Sequence, residues 1–207
     1  MMDVKLYKRI KRFFDFITAL LGMIALAPLF FVLALIVWIF HGWPLIFIQQ
    51  RPGKNEKLFK MYKFRKMTNE TDEAGHLLPD HQRLTRFGRF LRKTSMDELP
   101  ELINIIKGDM SLIGPRPLLV QYLPYYSERE KLRHKVKPGL TGLSQVNGRN
   151  TVNWDKRLEM DVQYVEQISF KLDIIILLKT IKAVFTSSDI QLNMIPDLNE
   201  ERKKENG

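Results

Sequence analysis

The chain has 207 residues, enough for one domain of ordinary size with its own core. Its 33 Lys plus Arg exceed its 23 Asp plus Glu by 33 − 23 = 10, and such an excess suits anionic partners, namely phosphorylated substrates, lipid headgroups or nucleic acid. The lack of cysteine excludes disulfides and cysteine nucleophiles, and the spacing of the four histidines argues against zinc, so a bound metal should be a hard cation held by oxygen.

The first predicted element is an apolar helix over residues 16–40, which carries no charged side chain. At ~1.5 Å per residue it would be about 37 Å long, so it could cross the ~30 Å hydrocarbon core of a membrane. Pro28 near its middle should break it into two arms that are each too short to cross alone. Basic residues flank both ends, and the positive-inside rule places both flanks in the cytoplasm. The segment therefore predicts a re-entrant hairpin.

Two short strands are predicted next, over residues 45–50 and 58–67. Alternation in the second strand puts Met61, Lys63 and Arg65 on one face. A solvated sheet edge is the more frequent origin of such a basic face, and a bound phosphate is the alternative.

A short helix is predicted over residues 96–107. Ser95 and Glu98 have the spacing of a capping box, and an apolar run at helical spacing follows them. Because Pro100 is tolerated only in the first turn, Asp97 could be the capping residue instead of Ser95. In either register Asp97 and Glu98 lie at the positive end of the helix dipole, which favours ionised carboxylates. Such carboxylates can act as nucleophiles or as magnesium ligands.

The turn after this helix holds Arg116 between Pro115 and Pro117. Two prolines stiffen the chain and fix the direction of the guanidinium, which a solvated surface arginine rarely requires. Acidic residues in a first helical turn usually only stabilise the helix. Together with Arg116, however, Asp97 and Glu98 indicate a site that handles a phosphate ester with a divalent metal.

Turn-rich pieces and one amphipathic helix are predicted further along. Glycines within residues 137–150 allow the backbone to approach a ligand, although they more often only permit turns, and Arg149 is the candidate nucleotide or phosphate contact there. The tail over residues 196–207 is highly charged and is predicted to be disordered. The amphipathic helix would either pack on the core or lie on a membrane; its apolar stripe is Ile174, Leu177, Leu178, Ile181 and Phe185.

Matches in order along nearly the whole chain make the sequence resemble the bacterial sugar transferases, polyprenyl-phosphate phosphoglycosyl transferases of the monotopic kind. The matching positions are Lys8, Arg9, Asp15 and residues 50–53, 62–65, 92–117, 137–142 and 145–150. The resemblance implies an enzyme on the cytoplasmic face of the bacterial inner membrane, held there by a re-entrant helix and interfacial amphipathic helices. In relatives that helix breaks at a serine–proline pair, whereas this chain has Ala27 before Pro28.

The resemblance also implies a reaction. Family enzymes attach a sugar phosphate to a polyprenyl phosphate such as undecaprenyl phosphate, using a UDP-sugar and Mg²⁺. By resemblance, Asp97 attacks the sugar-proximal phosphorus, UMP leaves, and the polyprenyl phosphate attacks the resulting aspartyl phosphosugar. Asp97 and Glu98 would bind the metal, and Glu98 could instead assist deprotonation of the acceptor. Glu101, where many relatives have glutamine, is a rival carboxylate that ranks below Glu98.

Four basic residues match positions that are implied to hold substrate phosphate: Lys63, Arg92, Arg116 and Arg149. Lys66 stands where the family usually has serine or threonine, and no role is assigned to it. Asp161 also matches a charged position in the family, and a structural salt bridge explains it better than contact with substrate.

The sugar, the function class and the assembly stay open at this point. The short form resembles bacillosamine-type enzymes, which transfer modified di-N-acetylated sugars for glycoprotein assembly, and a plain hexose or N-acetylhexosamine for O-antigen or capsule is the alternative. A lipid-directed glycosyl transferase that releases UDP and a membrane-tethered nucleic-acid-binding protein are competing functions. We expect no nucleic-acid partner, because base-stacking aromatics are not clearly interleaved with the basic residues. A homodimer is left open.

The predicted fold is a small, mixed, helix-rich α+β domain with a membrane hairpin. A doubly wound sheet is not expected, because the sequence has no Rossmann or phosphate-loop fingerprint and no internal repeat. The predicted divisions are a basic flank with the re-entrant helix over residues 1–48, a catalytic phosphoglycosyl transferase domain over 49–195 and a charged tail over 196–207.

Overall fold

Helices dominate the computed structural model, which describes residues 4–148, 152–186 and 197–205. The helices are α1 (Val4–Ala25), α2 (Ala27–His41), α3 (Asp80–Arg83), α4 (Arg86–Thr94), α5 (Glu101–Lys107), α6 (Leu143–Val146), α7 (Trp154–Glu166), α8 (Phe170–Thr186) and α9 (Leu198–Glu205). The strands are β1 (Ile46–Pro52), β2 (Leu58–Phe64), β3 (Ser111–Ile113) and β4 (Gly139–Thr141). The predicted mixed, helix-rich α+β class is confirmed.

The two N-terminal helices meet at a sharp bend. α1 and α2 are bent by 65° at Leu26, and Pro28 lies in the first turn of α2, where its missing N–H needs no partner. Backbone hydrogen bonds from Leu26 N to Gly22 O and from Phe30 N to Leu26 O, both 2.9 Å, flank the bend. The predicted break at Pro28 is confirmed. Among the described helices none is by itself long and apolar enough to cross a membrane, whereas this bent pair meets that criterion jointly.

The N-terminal helices are built into the core of the molecule. Ala19 of α1 is fully buried against α5 and β2, and Val37 of α2 is fully buried against β2 and α4. Arg12 donates to the carbonyl oxygens of Ile105 at 2.5 Å and Ile106 at 2.8 Å, in the last turn of α5. The carbonyl oxygen of Ile105 also accepts a hydrogen bond from Gly108 N at 3.1 Å, so the guanidinium adds to this C-terminal cap and meets the negative end of the helix dipole. α1 thereby holds α5 in position.

Two small sheets frame the middle of the chain. β1 and β2 pair antiparallel, from Ile46 opposite Phe64 to Pro52 opposite Leu58, so the two predicted strands are confirmed with shifted ends. β3 and β4 pair in parallel. In the described residues each sheet has only two strands, which agrees with the prediction against a doubly wound sheet.

The turn after β3 is packed too tightly for side chains. A Cβ on Gly114 would lie 2.5 Å from the carbonyl oxygen of Lys137, and the backbone of Gly114 leaves no room for a Cβ on Gly139. Arg116 follows directly. The predicted stiffness of its turn thus comes from close backbone packing as well as from the two prolines.

α8 turns most of its apolar side chains outward. The buried carboxylate of Asp173 accepts hydrogen bonds from the hydroxyls of Tyr7 at 2.5 Å and Tyr164 at 2.8 Å, which compensate for its burial. Ile176 packs in the same core. Core packing therefore does not account for the predicted apolar stripe. Its described members are all exposed, namely Ile174, Leu177, Leu178 and Ile181, and the side chain of Phe185 lies outside the described residues.

The C-terminal segment differs from its prediction as a disordered tail over residues 196–207. Leu198, at the start of α9, is fully buried beside Tyr122 and Trp154. The hydroxyl of Tyr122 also donates to Asp197 Oδ1 at 2.8 Å. Arg202 of α9 also pairs with Glu130 and Asp155. An average over the composition of this charged stretch does not register such specific contacts.

Candidate active site

The candidate reactive carboxylates lie on a tight turn between α4 and α5. Ser95 ends α4 in a left-handed conformation, with φ 56°, and opens a three-ten turn over Met96–Glu98. α5 starts only at Glu101, after Pro100. The predicted helix start and capping box are therefore wrong. Ser95 makes no capping hydrogen bond, and Glu98 binds cationic side chains instead, because charge-assisted hydrogen bonds are stronger than a neutral cap.

Asp97 is buried and keeps one oxygen available. Its side chain is 4% exposed, and Lys66 Nζ lies 3.2 Å from its Oδ2. Within the described residues no hydrogen-bond donor contacts its Oδ1. Burial lowers the pKa of Lys66, although the charge of Asp97 opposes that shift. Lys66, to which the sequence assigned no role, thus contacts the candidate nucleophile directly.

Glu98 is held by two of the predicted phosphate ligands. Lys63 Nζ donates to its Oε1 at 2.7 Å, and Arg116 Nη2 donates to the same oxygen at 2.6 Å. Burial alone would raise the pKa of Glu98, but the charges of Arg116 and Lys63 outweigh burial and hold that pKa well below its usual range. Glu98 is therefore an ionised anchor that orients both cations.

Glu101 belongs to the same cluster. It is 3% exposed, and Lys63 Nζ lies 3.1 Å from its Oε1. Burial raises the pKa of Glu101 to about 7, with the charge of Glu98 adding to the shift and that of Lys63 opposing it. A carboxyl group in this range can exchange a proton near neutral pH, whereas Glu98 stays ionised.

Two arginines that sequence reasoning left without a role border this cluster. Arg51 of β1 donates from Nη2 to Gln49 Oε1 at 2.6 Å, and its buried Nε has no hydrogen-bond partner in the described part of the chain. Burial and the charge of Arg116 lower the pKa of Arg51 to about 10, and the same two causes lower the pKa of Arg157 in α7. The resemblance to the family over residues 50–53 is the sequence feature that could have pointed to Arg51.

One predicted phosphate ligand, Arg92, lies outside this contact network. Arg92 of α4 makes no ion pair with Asp97 or Glu98 in the described structure, and its charge acts on Lys66, whose pKa it helps to lower. Arg149 lies outside the described residues.

Asp161 forms the predicted structural salt bridge. Its Oδ2 lies 2.7 Å from Arg133 Nη2, both side chains are 2% exposed, and Ser144 Oγ donates to the other carboxylate oxygen at 2.8 Å. Arg133 Nη2 also donates to the carbonyl oxygen of Arg116 at 2.6 Å. The buried pair therefore positions the backbone from which Arg116 reaches Glu98.

The carboxylates fit a metal that takes its remaining ligands from substrate. Among the described residues, no group of three or more histidine, aspartate or glutamate side chains is arranged to hold an ion. Asp97 Oδ1 is available, and Glu98 Oε2 makes only a long contact of 3.5 Å with Arg116 Nη1. Mg²⁺ is usually bound by one or two carboxylates together with water and substrate phosphates, so this donor set suits it.

The cluster as a whole is built to receive an anion. Lys63, Lys66 and Arg116 contact its carboxylates, and Arg51 and Arg157 add two nearby positive charges. These five cations outnumber the three carboxylates, and partial protonation of Glu101 near neutral pH increases the excess of positive charge. A phosphate group entering beside Asp97 Oδ1 would balance this charge and would face a buried oxygen nucleophile.

Comparison with known proteins adds an independent line of evidence. The sequence profile of the family described as bacterial sugar transferase matches residues 6–187. The sugar transferase EpsL of Bacillus subtilis is 49% identical over 182 residues, which cover 88% of this chain and 90% of that protein. The exopolysaccharide production protein ExoY of Sinorhizobium fredii is 38% identical over 86% of each chain.

Some relatives are much longer than this chain. The undecaprenyl-phosphate galactose phosphotransferase of Salmonella typhimurium is 40% identical over 192 residues, which cover 84% of this chain but 40% of that protein. The similarity therefore lies in one part of the longer proteins.

Proposed function

Since the chain belongs to the bacterial sugar transferase family and is a sugar-phosphate transferase of the polyprenyl-phosphate phosphoglycosyl kind, we propose that it moves a sugar 1-phosphate from a UDP-sugar to undecaprenyl phosphate. This would be the first membrane step in the synthesis of a polysaccharide or another glycoconjugate. Relatives named as undecaprenyl-phosphate phosphotransferases support the acceptor. The carrying observation in this structure is the buried Asp97, which contacts Lys66 and is followed by Glu98, the residue that holds Lys63 and Arg116.

In the first step, Oδ1 of Asp97 attacks the phosphorus that bears the sugar. A carboxyl–phosphate bond forms, the anhydride bond to UMP breaks, and UMP leaves with the electron pair of that bond. An anionic nucleophile approaches an anionic diphosphate only if positive charge surrounds both, and Lys66 and Arg116 provide it. The free Oδ1 of Asp97 supports this role.

In the second step, an oxygen of undecaprenyl phosphate attacks the same phosphorus. The bond to Asp97 breaks, its carboxylate is regenerated, and a new anhydride joins the sugar phosphate to the lipid phosphate. A phosphate monoester is already largely ionised near pH 7, so the acceptor needs little help with deprotonation. Glu98, held ionised, orients Lys63 and Arg116, while Glu101 is the better proton-exchanging group.

Asp97 and Glu98 are the residues that would hold Mg²⁺ together with the phosphates of the substrate. When bound, the ion supplies positive charge to the diphosphate.

The exposed apolar surfaces support a monotopic position on the inner membrane, with the catalytic residues on the cytoplasmic face. The bent pair of α1 and α2 would enter the bilayer as a re-entrant element, and the outward face of α8 would lie in the interface. A soluble nucleotide sugar and a lipid acceptor could then reach one site at the membrane surface.

Replacing the nucleophile tests the proposal. Asp97→Asn should abolish UMP release from a UDP-sugar while the protein accumulates in membranes as before, and Asp155→Asn, at an exposed aspartate of α7, should keep full activity. Brief incubation of the parent with the donor alone should add the mass of a sugar phosphate at Asp97. Turnover by Asp97→Asn near the parent rate would remove Asp97 from this role. Release of UDP instead of UMP would identify a glycosyl transferase.

The preferred sugar needs a separate measurement. Relatives are named for galactose, glucose and N-acetylgalactosamine. We propose a di-N-acetylated sugar, as the resemblance of the short form implies. A panel of UDP-sugars that includes these four kinds, scored by UMP release, should show the highest kcat/KM for the di-N-acetylated donor, and a higher value for any other donor would reject it.

A further inference from the structure

A second basic site lies away from the carboxylates. A cavity of about 110 Å³ opens between the first half of α1, the start of β3 and the chain that leads into β4. One water needs roughly 10–15 Å³ on this scale, so the cavity has room for a phosphate group. It shares no lining residue with the candidate active site. Its basic lining residues are Lys8, Lys11, Arg12, Lys54, Lys135 and Lys137.

Two of these six basic side chains already have partners within the protein. Lys11 Nζ lies 2.8 Å from Asp173 Oδ2 and 3.6 Å from Asp15 Oδ1. Arg12 is bound to the carbonyls at the end of α5. Asp15, the one carboxylate in the lining, also accepts hydrogen bonds from Ser111 Oγ at 2.7 Å and Leu112 N at 3.2 Å.

The other four lysines of the cavity have no ion pair with any described residue. These lysines are Lys8, Lys54, Lys135 and Lys137. Four like charges that share one cavity repel each other, and a protein surface normally interleaves carboxylates among them. The arrangement is therefore stabilised when an anion enters.

Lys137 is the innermost of the four. Its side chain is half-buried. A Cβ built on Gly108 would lie 3.3 Å from Lys137 Nζ and 3.1 Å from Arg12 Nη2, so the ammonium and the guanidinium lie close together. Burial lowers the pKa of Lys137, and the charges of Arg12 and Lys54 add to the shift, while those of Asp15 and Asp109 oppose it. A bound phosphate would remove this repulsion and replace the lost hydration with charge-assisted hydrogen bonds.

The surroundings of the cavity favour a lipid as the source of the phosphate. On other faces of α1, the same helical turns that carry Lys8, Lys11 and Arg12 expose large apolar side chains. A lipid could use this apolar surface of α1 as well as the charges, whereas a free phosphate would use only the charges. The exposed residues are Leu6, Ile10, Phe13 and Phe14.

From these observations we propose that the cavity is a binding site for the phosphate headgroup of an anionic glycerophospholipid. Lys8, Lys54, Lys135 and Lys137 contact the phosphate, and the apolar residues of α1 contact the acyl chains. The site is separate from the transfer reaction. Its ligand holds α1 and the β3–β4 region in a defined position at the membrane surface.

Binding to the full chain in neutral detergent tests the proposal. Phosphatidylglycerol and phosphatidylcholine are titrated separately, and retained lipid is counted by native mass spectrometry. The parent should retain phosphatidylglycerol in preference to phosphatidylcholine. Lys54→Gln combined with Lys137→Gln should weaken that retention roughly tenfold or more, since each charge near an anionic lipid contributes substantially. The charge-matched pair Lys57→Gln with Lys93→Gln, at exposed lysines outside the cavity, should bind as the parent does.

Three results would overturn the site as proposed. Equal retention by the parent and the Lys54/Lys137 variant would show that the cavity does not bind the lipid. Full displacement of phosphatidylglycerol by millimolar inorganic phosphate would show a free-phosphate site. Displacement by undecaprenyl phosphate in the Asp97→Asn background would assign the cavity to the acceptor.

If Lys137→Gln lowers the thermal midpoint, Lys8→Gln with Lys135→Gln, at two exposed positions, makes the same test.

Measuring UMP release separates a failure of the lipid site from a failure of the proposed transfer reaction. The Lys54/Lys137 variant should keep the parent's KM for the UDP-sugar in detergent, because neither lysine lies in the carboxylate cluster. Loss of lipid retention with transfer intact supports the headgroup site on its own. Absence of transfer in the parent would reject the proposed function and leave the lipid measurement valid.

Discussion

Within the described residues, Lys66 is the cation that contacts Asp97 directly. Its ammonium lies 3.2 Å from Asp97 Oδ2. We expect Lys66→Met to lower kcat/KM for the UDP-sugar about 100-fold, because one preorganised cation beside the attacked phosphate is lost. Steady-state UMP release measures the effect.

Lys60→Met is the matched control for Lys66. Lys60 is exposed on β2, the strand that ends at Phe64 shortly before Lys66, and it forms no ion pair with a described residue, so its replacement should leave kcat/KM unchanged. Equal activity of the Lys66→Met variant and the parent would show that Asp97 needs no neighbouring charge.

Glu101 gives the site a predictable response to pH. Its pKa is raised from 4.5 to about 7, so between these values the folded protein keeps a proton that the unfolded chain has lost. Stability from this group therefore falls as the pH rises through that window. We expect Glu101→Gln to match the parent in free energy of unfolding at pH 5 and to exceed it by about 2 kcal/mol at pH 8. Denaturant unfolding at both pH values measures the difference.

The control for Glu101 is Glu70→Gln, at an exposed position outside the site. It should leave the pH dependence of the parent unchanged. A Glu101→Gln variant whose advantage is the same at pH 5 and pH 8 would show that Glu101 does not titrate between them.

At the scale of elements, a buried ion pair ties α7 to the turn that carries Arg116. Asp161 of α7 binds Arg133, which donates to the carbonyl of Arg116. Asp161→Asn leaves Arg133 buried with a neutral partner, and we expect it to lower the free energy of unfolding by about 3–5 kcal/mol. It should also raise KM for the donor, because Arg116 loses its support. Denaturant titration and donor kinetics measure the two effects.

Asp155→Asn, in the same helix, is the control for Asp161→Asn, because it also removes one negative charge but from an exposed position. Asp155 pairs with Arg202 at 2.5 Å but its side chain is 61% exposed, so its loss should cost about 1 kcal/mol or less. A similar loss of unfolding free energy in the two variants would mean that the Asp161–Arg133 pair contributes no more than an exposed ion pair.

Element ends were predictable where a local rule decides them. α5 ends at Lys107, as predicted from the sequence, and Gly108 follows it in the left-handed conformation, at φ 89°. The start of α5 was not predictable from capping rules. Ser95 and Glu98 have the right spacing, but partners brought by β2 and by the turn after β3 bind Glu98 more strongly than the backbone does.

At the scale of the whole molecule, α1, α2 and α8 expose large apolar side chains that the protein itself does not cover. The chain has no cysteine, so single thiols can be introduced to map this surface. In membrane vesicles we expect Leu178→Cys on α8 to react slowly with a membrane-impermeant maleimide, because a buried thiol does not form the reactive thiolate readily. Unfolding the protein in sodium dodecyl sulfate should restore the rate.

Glu128→Cys is the control for Leu178→Cys. Glu128 has a 90% exposed side chain, and its thiol should react equally fast in vesicles and in detergent. Fast labelling of Leu178→Cys in intact vesicles would place the outward face of α8 in water.

The sequence by itself determined the family, the helix-rich α+β class, the break at Pro28, the β1–β2 pair and the salt-bridge role of Asp161, because each depends on a local pattern or an ordered motif. Only the tertiary structure decided the partners of the carboxylates. Lys66 meets Asp97 across 31 residues, and Lys63 and Arg116 meet Glu98 across 35 and 18. Such contacts depend on how strands, turns and helices pack, and burial in that packing also shifts the pKa of Glu101, which no pattern along the chain encodes.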